Sequence, residues 1–303
     1  TDFDAQHLVP ESLSAEGPAL AVGDINGDGK DDIFVGGAKG QAAAIFIQQN
    51  EGNFNELKVM LFERDRFTED VDAAFFDADG DGDLDLYIVR GGNELPDGDP
   101  FLADRLLIND GFGNFGACDA DAMPFMAFNG SCMLPADFDG DSDIDLYVAA
   151  RSLPGGYGLS ASQFLLENNG DGIFKDVTTK RLKGENNPGM IADAVWTDFD
   201  ADSDLDLIVI GEWMKVHVYQ NDAGNFSEVS DEAGLNETAG WWKCIEAADI
   251  DGDGDEDLIA GNLGDNSLLN ASPAKPLKMY LNDFDNSGTL EQIICAYENE
   301  TSY

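Results

Sequence analysis

Basic residues are scarce in this sequence. It has 16 Lys and Arg against 61 Asp and Glu, and only two His, for a formal net charge of −45. Nucleic-acid binding requires a basic footprint, so this charge argues against a nucleic-acid partner. It suits a salty extracellular setting, where charge repulsion is screened. The two histidines, His7 and His217, lie in no metal or triad motif, so we expect no enzyme built on them.

Long hydrophobic runs are also absent. No apolar stretch approaches the roughly 20 residues that a membrane-spanning helix needs, so we expect no membrane span in this chain. Thr1 does not open a signal peptide, so a secreted protein would be represented here in mature or trimmed form. The hydrophobic content of 43% is near the globular norm, which excludes a disordered acidic tail.

Cysteine is limited to four residues, which allow three pairings. Cys132 and Cys244 occupy the same place in different repeats and should lie far apart. A disulfide between Cys118 and Cys132 would close a short loop, worth about 3 kcal/mol by chain entropy. Free buried thiols are the alternative, and both readings stay open.

Aspartate, in contrast, is concentrated in short regular loops. Residues 77–85 read DADGDGDLD, and the apolar run Leu86–Val89 follows at once. Such alternating carboxylates repel one another unless a multivalent cation lies among them. Ca²⁺ is the natural candidate, since it takes roughly six to eight oxygen ligands in irregular geometry. For one loop taken alone, a solvated acidic turn is the alternative.

The same pattern occurs in loops that start at residues 24, 77, 137, 198, 249 and 283. We predict five or six Ca²⁺ ions, held by positions 1, 3, 5, 7 and 9 of each loop, with position 7 acting through its carbonyl oxygen. Asn26 lowers the charge of the first site, and we expect the degenerate sixth site to be the weakest. The predicted metal positions are Asp24, Asn26, Asp28, Lys30 and Asp32; Asp77, Asp79, Asp81, Asp83 and Asp85; Asp137, Asp139, Asp141, Asp143 and Asp145; Asp198, Asp200, Asp202, Asp204 and Asp206; Asp249, Asp251, Asp253, Asp255 and Asp257; and Asp283, Asp285, Ser287, Thr289 and Glu291.

Each loop joins two predicted strands. A short run such as Ala73–Phe76 precedes it, and a β-rich run such as Leu207–Ile210 follows. Most repeats then carry a third apolar run, a glycine turn and a Phe, which predicts a second hairpin. Four strands per repeat of this length are typical of propeller blades. We predict an all-β fold, a single β-propeller over residues 1–303 with the Asp-rich loops between first and second strands.

The flanking strands exclude an EF-hand, which needs helices on both sides and a Glu at position 12. That position holds apolar residues such as Val35 and Ile88. The step from the fifth loop to the sixth is too short for a full blade. We therefore expect five reasonably complete sets and a fragment, an incomplete ring, and a chain that is a piece of a longer protein.

These motifs resemble the FG-GAP/VCBS repeat of integrin α-subunit propellers and of many bacterial surface proteins. The D-x-D-x-D-G-x-x-D loop between strands and the N-x-G-x-F blade ending carry the resemblance. The pieces GWWK at 240–243, GNLGDNS at 261–267 and LNDFDNSG at 281–288 resemble more narrowly the bacterial proteins with ASPIC/UnbV-type repeats. The resemblance implies a calcium-stabilised β-propeller, secreted or attached to the cell surface, that serves recognition or adhesion.

The strong signals in the sequence indicate structural metal, whereas catalytic signals are thin. We therefore predict a non-catalytic extracellular or cell-surface binding module whose ligand is a glycan or a protein. The alternative is a secreted polysaccharide-degrading enzyme of lyase type, since some lyases that act on acidic glycans use calcium-bearing propellers. Tyr, His, Lys or Arg side chains converging in a pocket would favour the enzyme. A shallow aromatic face would favour binding.

Ligands are predicted to bind on the face opposite the Asp-rich loops. In a four-stranded meander, the loop after strand one lies on one face of the ring, and the loops after strands two and four lie on the other. Long segments such as 91–104 and 152–162 follow second strands and so fall on that second face, where aromatic rings offer rigid contact area. Packing of these aromatics between blades is the alternative. The predicted ligand-face residues are Arg90, Phe101, Arg151, Tyr157, Trp213, Trp241 and Trp242.

Overall fold

The computed structural model describes residues 3, 6–13, 17–184, 186–267, 269, 271–272, 274–298 and 301–302. Three consecutive segments each form a four-stranded antiparallel sheet whose strands follow one another in chain order. The first sheet has β1 (Leu20–Gly23), β2 (Asp32–Val35), β3 (Ala44–Gln48) and β4 (Phe54–Leu57); the second has β5 (Glu69–Phe76), β6 (Asp85–Gly91), β7 (Arg105–Asn109) and β8 (Phe115–Ala117); the third has β9 (Asn129–Ala136), β10 (Asp145–Ser152), β11 (Gln163–Asn168) and β12 (Phe174–Asp176).

The fourth sheet repeats this meander and carries an added edge strand. Its strands are β14 (Met190–Thr197), β15 (Asp206–Met214), β16 (His217–Asp222) and β17 (Asn225–Glu228), with β13 (Leu182–Lys183) parallel to β17. The fifth set, β18 (Gly240–Ala248) and β19 (Asp257–Asn262), is joined to it because β15 also pairs with β18. The remaining strands are β20 (Lys278–Asn282), β21 (Glu291–Cys295), β22 (Tyr297–Glu298) and β23 (Thr301–Ser302).

Helices are short and lie between the sheets. They are α1 (Met60–Asp65) and α2 (Thr178–Arg181), with single 3₁₀ turns at Asn50–Gly52, Pro100–Leu102 and Gly264–Asn266. Among the described residues, no helix is long and apolar enough to span a bilayer. The all-β prediction, with four-stranded blades, is therefore confirmed.

The Asp-rich loops lie where the sequence places them. In all six repeats the first strand ends directly before position 1, and the second strand begins at position 9, as in β5 and β6. The reason is local. Glycines at positions 4 and 6 of the second loop, Gly80 and Gly82, have φ of 74° and 92°, a left-handed conformation that costs glycine little. The chain can therefore reverse direction within nine residues.

Apolar side chains between successive sheets form separate cores. The clusters join sheets one and two, two and three, three and four, and four and five. Sheets two, three and four therefore pack on both faces, which explains why their second strands are apolar without alternation. Every residue of β6 and of β10 is buried. This stacking of sheets is the architecture of propeller blades.

The fifth set has fewer strands than the sequence predicts. Among the described residues, only β18 and β19 form between β17 and β20, and the described part of 263–277 contains a 3₁₀ turn and one isolated bridge, between Ser272 and Lys275. Residues 268, 270 and 273 of this segment lie outside the described residues. Because the segment lacks the apolar run and glycine turn found in earlier repeats, it offers no second hairpin.

Neighbouring first strands are joined by half-buried carboxylates. Asp72 Oδ2 accepts the Met133 N–H at 2.8 Å, and Asp193 Oδ2 accepts the Ile245 N–H at 2.9 Å.

Cys132 occupies the equivalent position of β9, five residues before its loop. All four cysteines are free thiols, so the open question of a disulfide between Cys118 and Cys132 is answered against pairing.

Candidate metal sites and the opposite face

Five of the six loops bring three acidic side chains together. In each group, one oxygen atom from every member lies within 4.8 Å of the others, which is the arrangement that a cation requires. The members are positions 1, 3 and 9 of the loop. The groups are Asp77, Asp79 and Asp85; Asp137, Asp139 and Asp145; Asp198, Asp200 and Asp206; Asp249, Asp251 and Asp257; and Asp283, Asp285 and Glu291.

Position 9 connects its loop to the third strand of the same sheet. Asp85 is completely buried, and its two oxygens accept the N–H of Ala78 at 2.9 Å and the N–H of Asn109 at 2.8 Å. Asp145 and Asp206 make the same pair of bonds in their sheets. Burial, more than the neighbouring carboxylates, raises the pKa of Asp85 to about 6. A nearby cation would offset this cost of holding a buried negative charge.

The carboxylate at position 1 accepts hydrogen bonds from backbone N–H groups of its own loop. Asp77 accepts the N–H of Gly80 at 2.8 Å and the N–H of Gly82 at 3.0 Å. The predicted ligands at positions 5 and 7 lie outside the three-acid groups. Instead, the carboxylate at position 5 accepts the N–H of position 7, as Asp81 does from Asp83 at 3.0 Å. The structure therefore separates positions 1, 3 and 9, which converge, from positions 5 and 7.

Two position-3 oxygens show that the loops fit a cation. Oδ1 of Asp79 and Oδ1 of Asp139 are buried, and neither has a hydrogen-bond donor among the described residues. A buried oxygen without a donor is costly. The second oxygen of Asp139 accepts from Arg181 Nη2 at 2.6 Å. Hard oxygen donors of this kind suit Ca²⁺, so several of these groups could bind a metal ion.

The first loop differs from the others. Asn26 donates its amide to Asp32 at 3.1 Å, and Lys30 Nζ pairs with Asp28 at 2.7 Å. Its side chains thus bond to one another, and within the described part of the chain this loop forms no three-acid group. The sixth loop, which we predicted to be the weakest, does form one.

An asparagine at the end of the third strand connects the loops of neighbouring sheets. The Asn168 amide donates to the carbonyl of Ala78 in the second loop at 2.8 Å and to that of Ile144 in the third loop at 3.0 Å. Asn109 and Asn221 repeat the arrangement. The sequence shows this residue as the Asn that precedes the glycine turn, but its contacts between sheets were missed because they join residues far apart in the chain.

The hairpin turns that follow also pack against the Asp-rich loops. Gly111 and Gly170 have φ of 75° and 79°. A Cβ on Gly170 would lie 2.6 Å from Oδ2 of Asp143, and one on Gly111 would lie 2.2 Å from Oδ2 of Asp83. Only glycine adopts this left-handed conformation at little cost and also has no Cβ that would collide with the aspartate. The run G-x-G-x-x-G that begins at Gly111 is therefore a hairpin turn of the blade.

The predicted ligand-face residues lie at or beyond the far ends of the strands. β10 runs from Asp145 to Ser152, so its last residues are roughly 20 Å from the third loop. Phe101 is 46% exposed and packs edge-on against the exposed ring of Phe67 at 5.7 Å. The other members are less accessible: Trp213, Trp241 and Trp242 are half-buried, and Arg90, Arg151 and Tyr157 are buried.

Three neighbouring sheets contribute to a buried polar cluster on this side. Arg151 Nη2 and Lys243 Nζ each lie 2.5 Å from Oε1 of Glu212. The hydroxyl of Tyr157 donates to Oε2 of Glu212 at 2.7 Å and accepts from Nε1 of Trp213 at 3.2 Å. Burial raises the pKa of Glu212, but the charge of Arg151, the hydrogen bond with Glu11 and the interactions with Lys243 together outweigh it, and the resulting pKa is about 2. Glu212 is therefore a buried anion held by two cations.

Arg90 belongs to a second buried network. Its Nη2 lies 3.2 Å from Oδ2 of Asp65, and its backbone N–H donates to Oδ1 of Asp104 at 2.8 Å. The hydroxyl of Tyr87 donates to the other oxygen of Asp104 at 2.9 Å. Burial raises the pKa of Asp104 to about 7. The sequence gives no sign of this network, because Asp104 is one acid among many.

Asp104→Asn should change how stability depends on pH. With a folded-state pKa near 7 and an unfolded-state value near 4, the folded protein binds more protons between these limits. Wild-type stability therefore decreases as the pH rises from about 4 to 7. The neutral variant has no carboxyl group to titrate here, so we expect its free energy of unfolding to gain about 4 kcal/mol relative to wild type between pH 4 and 8.

Thermal unfolding of both proteins across this range, with calcium constant, measures the difference. Asp97 is exposed, so Asp97→Asn serves as a matched control that should leave the wild-type slope unchanged. Parallel curves for Asp104→Asn and wild type would show that Asp104 is not titrating in this interval.

Comparison with known proteins places the first five Asp-rich loops in a described repeat. A model of the FG-GAP-like repeat matches residues 24–88, 137–209 and 198–260. No curated protein matches the chain.

Among solved structures, similar chains include the Bacillus licheniformis rhamnogalacturonan lyase PL11, with 14% identity and a TM-score of 0.41 over 95% of this chain and 66% of that one. The V. cholerae biofilm matrix protein Bap1 has 16% identity and a TM-score of 0.42 over 95% and 39%. A putative exo-beta-1,3-galactanase from Bifidobacterium bifidum s17 has 10% identity and a TM-score of 0.42 over 97% and 94%. The chain thus spans less than two thirds of the first two proteins.

Proposed function

The chain belongs to the FG-GAP-like repeat family, and on that premise we propose that it is a calcium-stabilised binding module. It acts outside the cell or at the cell surface, as one β-propeller domain within a longer protein. Its ligand is a glycan or a protein, bound on the ligand face. The Ca²⁺ ions are held by positions 1, 3 and 9 of the loops, with positions 5 and 7 completing the shell, and their role is structural.

The observation that carries this proposal is that acidic side chains and aromatic side chains occupy opposite ends of the same strands. The converging carboxylates occupy one end, and aromatic rings with the buried cations occupy the other. Trp213 and Trp241 lie 5.4 Å apart between ring centroids. Because the converging acids lie at the opposite end of the strands from these rings, we assign the metal and the ligand to separate places. A rigid scaffold braced by metal ions, with long loops at its far end, suits recognition.

A second candidate function is polysaccharide cleavage of lyase type. The observation that favours it is the convergence of Tyr157, Arg151 and Lys243 around Glu212. However, burial raises the pKa of Tyr157 well above its usual range, so this phenol holds its proton. A base that removes a substrate proton needs a pKa near the working pH. Binding therefore has the stronger support.

An array of glycans and of extracellular proteins, probed with the calcium-loaded protein, tests the proposal. Trp241→Ala should weaken binding to any positive spot by at least about 30-fold, since buried aromatics dominate interfaces. Phe112 is 81% exposed in the hairpin turn between β7 and β8, beside the Asp-rich loops. Phe112→Ala is the matched control and should bind like wild type.

The outcomes separate the candidates. If Phe112→Ala loses binding and Trp241→Ala keeps it, the ligand lies on the metal side. Release of shortened, unsaturated saccharides from positive glycans would identify the enzyme instead. If no glycan or protein binds, the proposed function is wrong.

A further inference from the structure

A segment of the chain lies across the Glu212 cluster. Val9 and Leu13 are 6% and 4% exposed and pack with Tyr157 and Met190. Between these two anchors, Glu11 reaches toward the cations of the cluster. The anchors fix the backbone, whereas the carboxylate of Glu11 lies at the end of a flexible side chain. The segment therefore brings a second acidic group, besides Glu212, to the same cations.

Glu11 is the outer of two carboxylates that share the same cations. It forms an ion pair with Lys243 Nζ and lies 3.5 Å from Arg151 Nη2. Glu212 is closer to Arg151, at 2.5 Å, and completely buried, whereas the side chain of Glu11 is 28% exposed. Burial and then the neighbouring Glu212 raise the pKa of Glu11 to about 7. Of the two carboxylates that share these cations, Glu212 is thus held more firmly and Glu11 less firmly.

Aromatic rings flank the outer position. The ammonium of Lys243 lies 5.9 Å from the Trp241 ring centroid, and that ring contacts Trp213. The indole N–H of Trp241 is buried without a hydrogen-bond acceptor among the described residues, which is costly unless a ligand supplies one. The backbone of Trp213 has φ of 60° at a bulge in β15. Such strain in a bulky residue typically marks a functional site.

We propose that Arg151, Lys243, Trp213 and Trp241 form a subsite for the carboxylate and ring of a hexuronate saccharide, and that Glu11 takes the place of the ligand carboxylate in this structure. This rests on the proposed function, because it names the ligand of the same face. Two cations match a carboxylate, and the aromatic rings match the apolar face of a sugar. The ligand displaces the Glu11 side chain, while Val9 and Leu13 stay packed.

Titration with a hexuronate disaccharide, followed by tryptophan fluorescence in saturating calcium, tests this subsite. Glu11→Gln should bind it about tenfold more tightly than wild type, because a self-occupied site lowers apparent affinity by the fraction that is open. Lys243→Met should lose the fluorescence change. The matched controls are Glu63→Gln, an exposed residue of α1, and Lys215→Met, whose lysine pairs with Glu228 and Asp231 elsewhere. Both should bind like wild type, and melting curves confirm that all variants are folded.

Three results would overturn the inference. One is equal affinity of Glu11→Gln and Glu63→Gln for the hexuronate. The second is equally tight binding of the matched neutral disaccharide, which would remove the role of the carboxylate. The third is equally tight binding of a glutamyl peptide, which would assign the subsite to acidic peptides. If neutral glycans bind the array and hexuronates do not bind here, the proposed function survives and only this subsite is wrong.

Discussion

Excess chelator should lower the melting temperature of the calcium-loaded protein by at least about 8 °C. A site filled to about 100 times its Kd adds about 2.7 kcal/mol to the free energy of unfolding. Two or more occupied sites therefore add over about 5 kcal/mol, which corresponds to a shift of this size in a domain of roughly this length. Empty loops also leave the converging carboxylates to repel one another.

The effect can be assigned to individual loops by calorimetry. Asp79 has a buried oxygen without a donor, so Asp79→Asn should remove the gain from the second loop only. Asp97→Asn, which changes an exposed acid outside the loops, is the control for lost charge. Magnesium at equal ionic strength distinguishes calcium from general screening. A transition that chelator leaves unmoved would show that the loops are not calcium sites that support the fold.

Replacing Asn168 by Ala should lower the free energy of unfolding by about 3 kcal/mol. The amide of Asn168 serves buried carbonyls in two loops, and each buried polar group left without a partner costs about 1–3 kcal/mol. Asn168→Asp should be at least as damaging, because it places a carboxylate oxygen against a carbonyl oxygen. The variant should also weaken calcium binding, since both loops lose a connection between sheets.

Urea unfolding in saturating calcium measures the change. Asn53 is exposed, and among the described residues its side-chain amide makes one long contact, of 3.5 Å, to the carbonyl of Asn50. Asn53→Ala should therefore stay within about 0.5 kcal/mol of wild type. Similar losses for the two alanine variants would mean that the contact between sheets contributes little to stability.

Much of the fold could be predicted because its signals are local. Strand ends at the Asp-rich loops depend on glycine turns and on position-9 acids that bond to nearby backbone. These constraints act within nine residues, so the spacing alone locates them. The apolar runs that follow, such as the one in β6, indicate strands buried on both faces. The same locality explains why the fifth set was overcounted, since segment 263–277 has a suitable length but no hairpin signal.

The sequence by itself determined the class of fold, the six loops and their acidic chemistry. Only the tertiary structure decided which acids converge, because positions 1, 3 and 9 are selected by how the loop wraps. It also decided the partners of distant residues. Arg151 meets Glu11 across 140 positions and Lys243 meets it across 232. Such contacts depend on how neighbouring sheets stack, and no pattern along the chain encodes that distance.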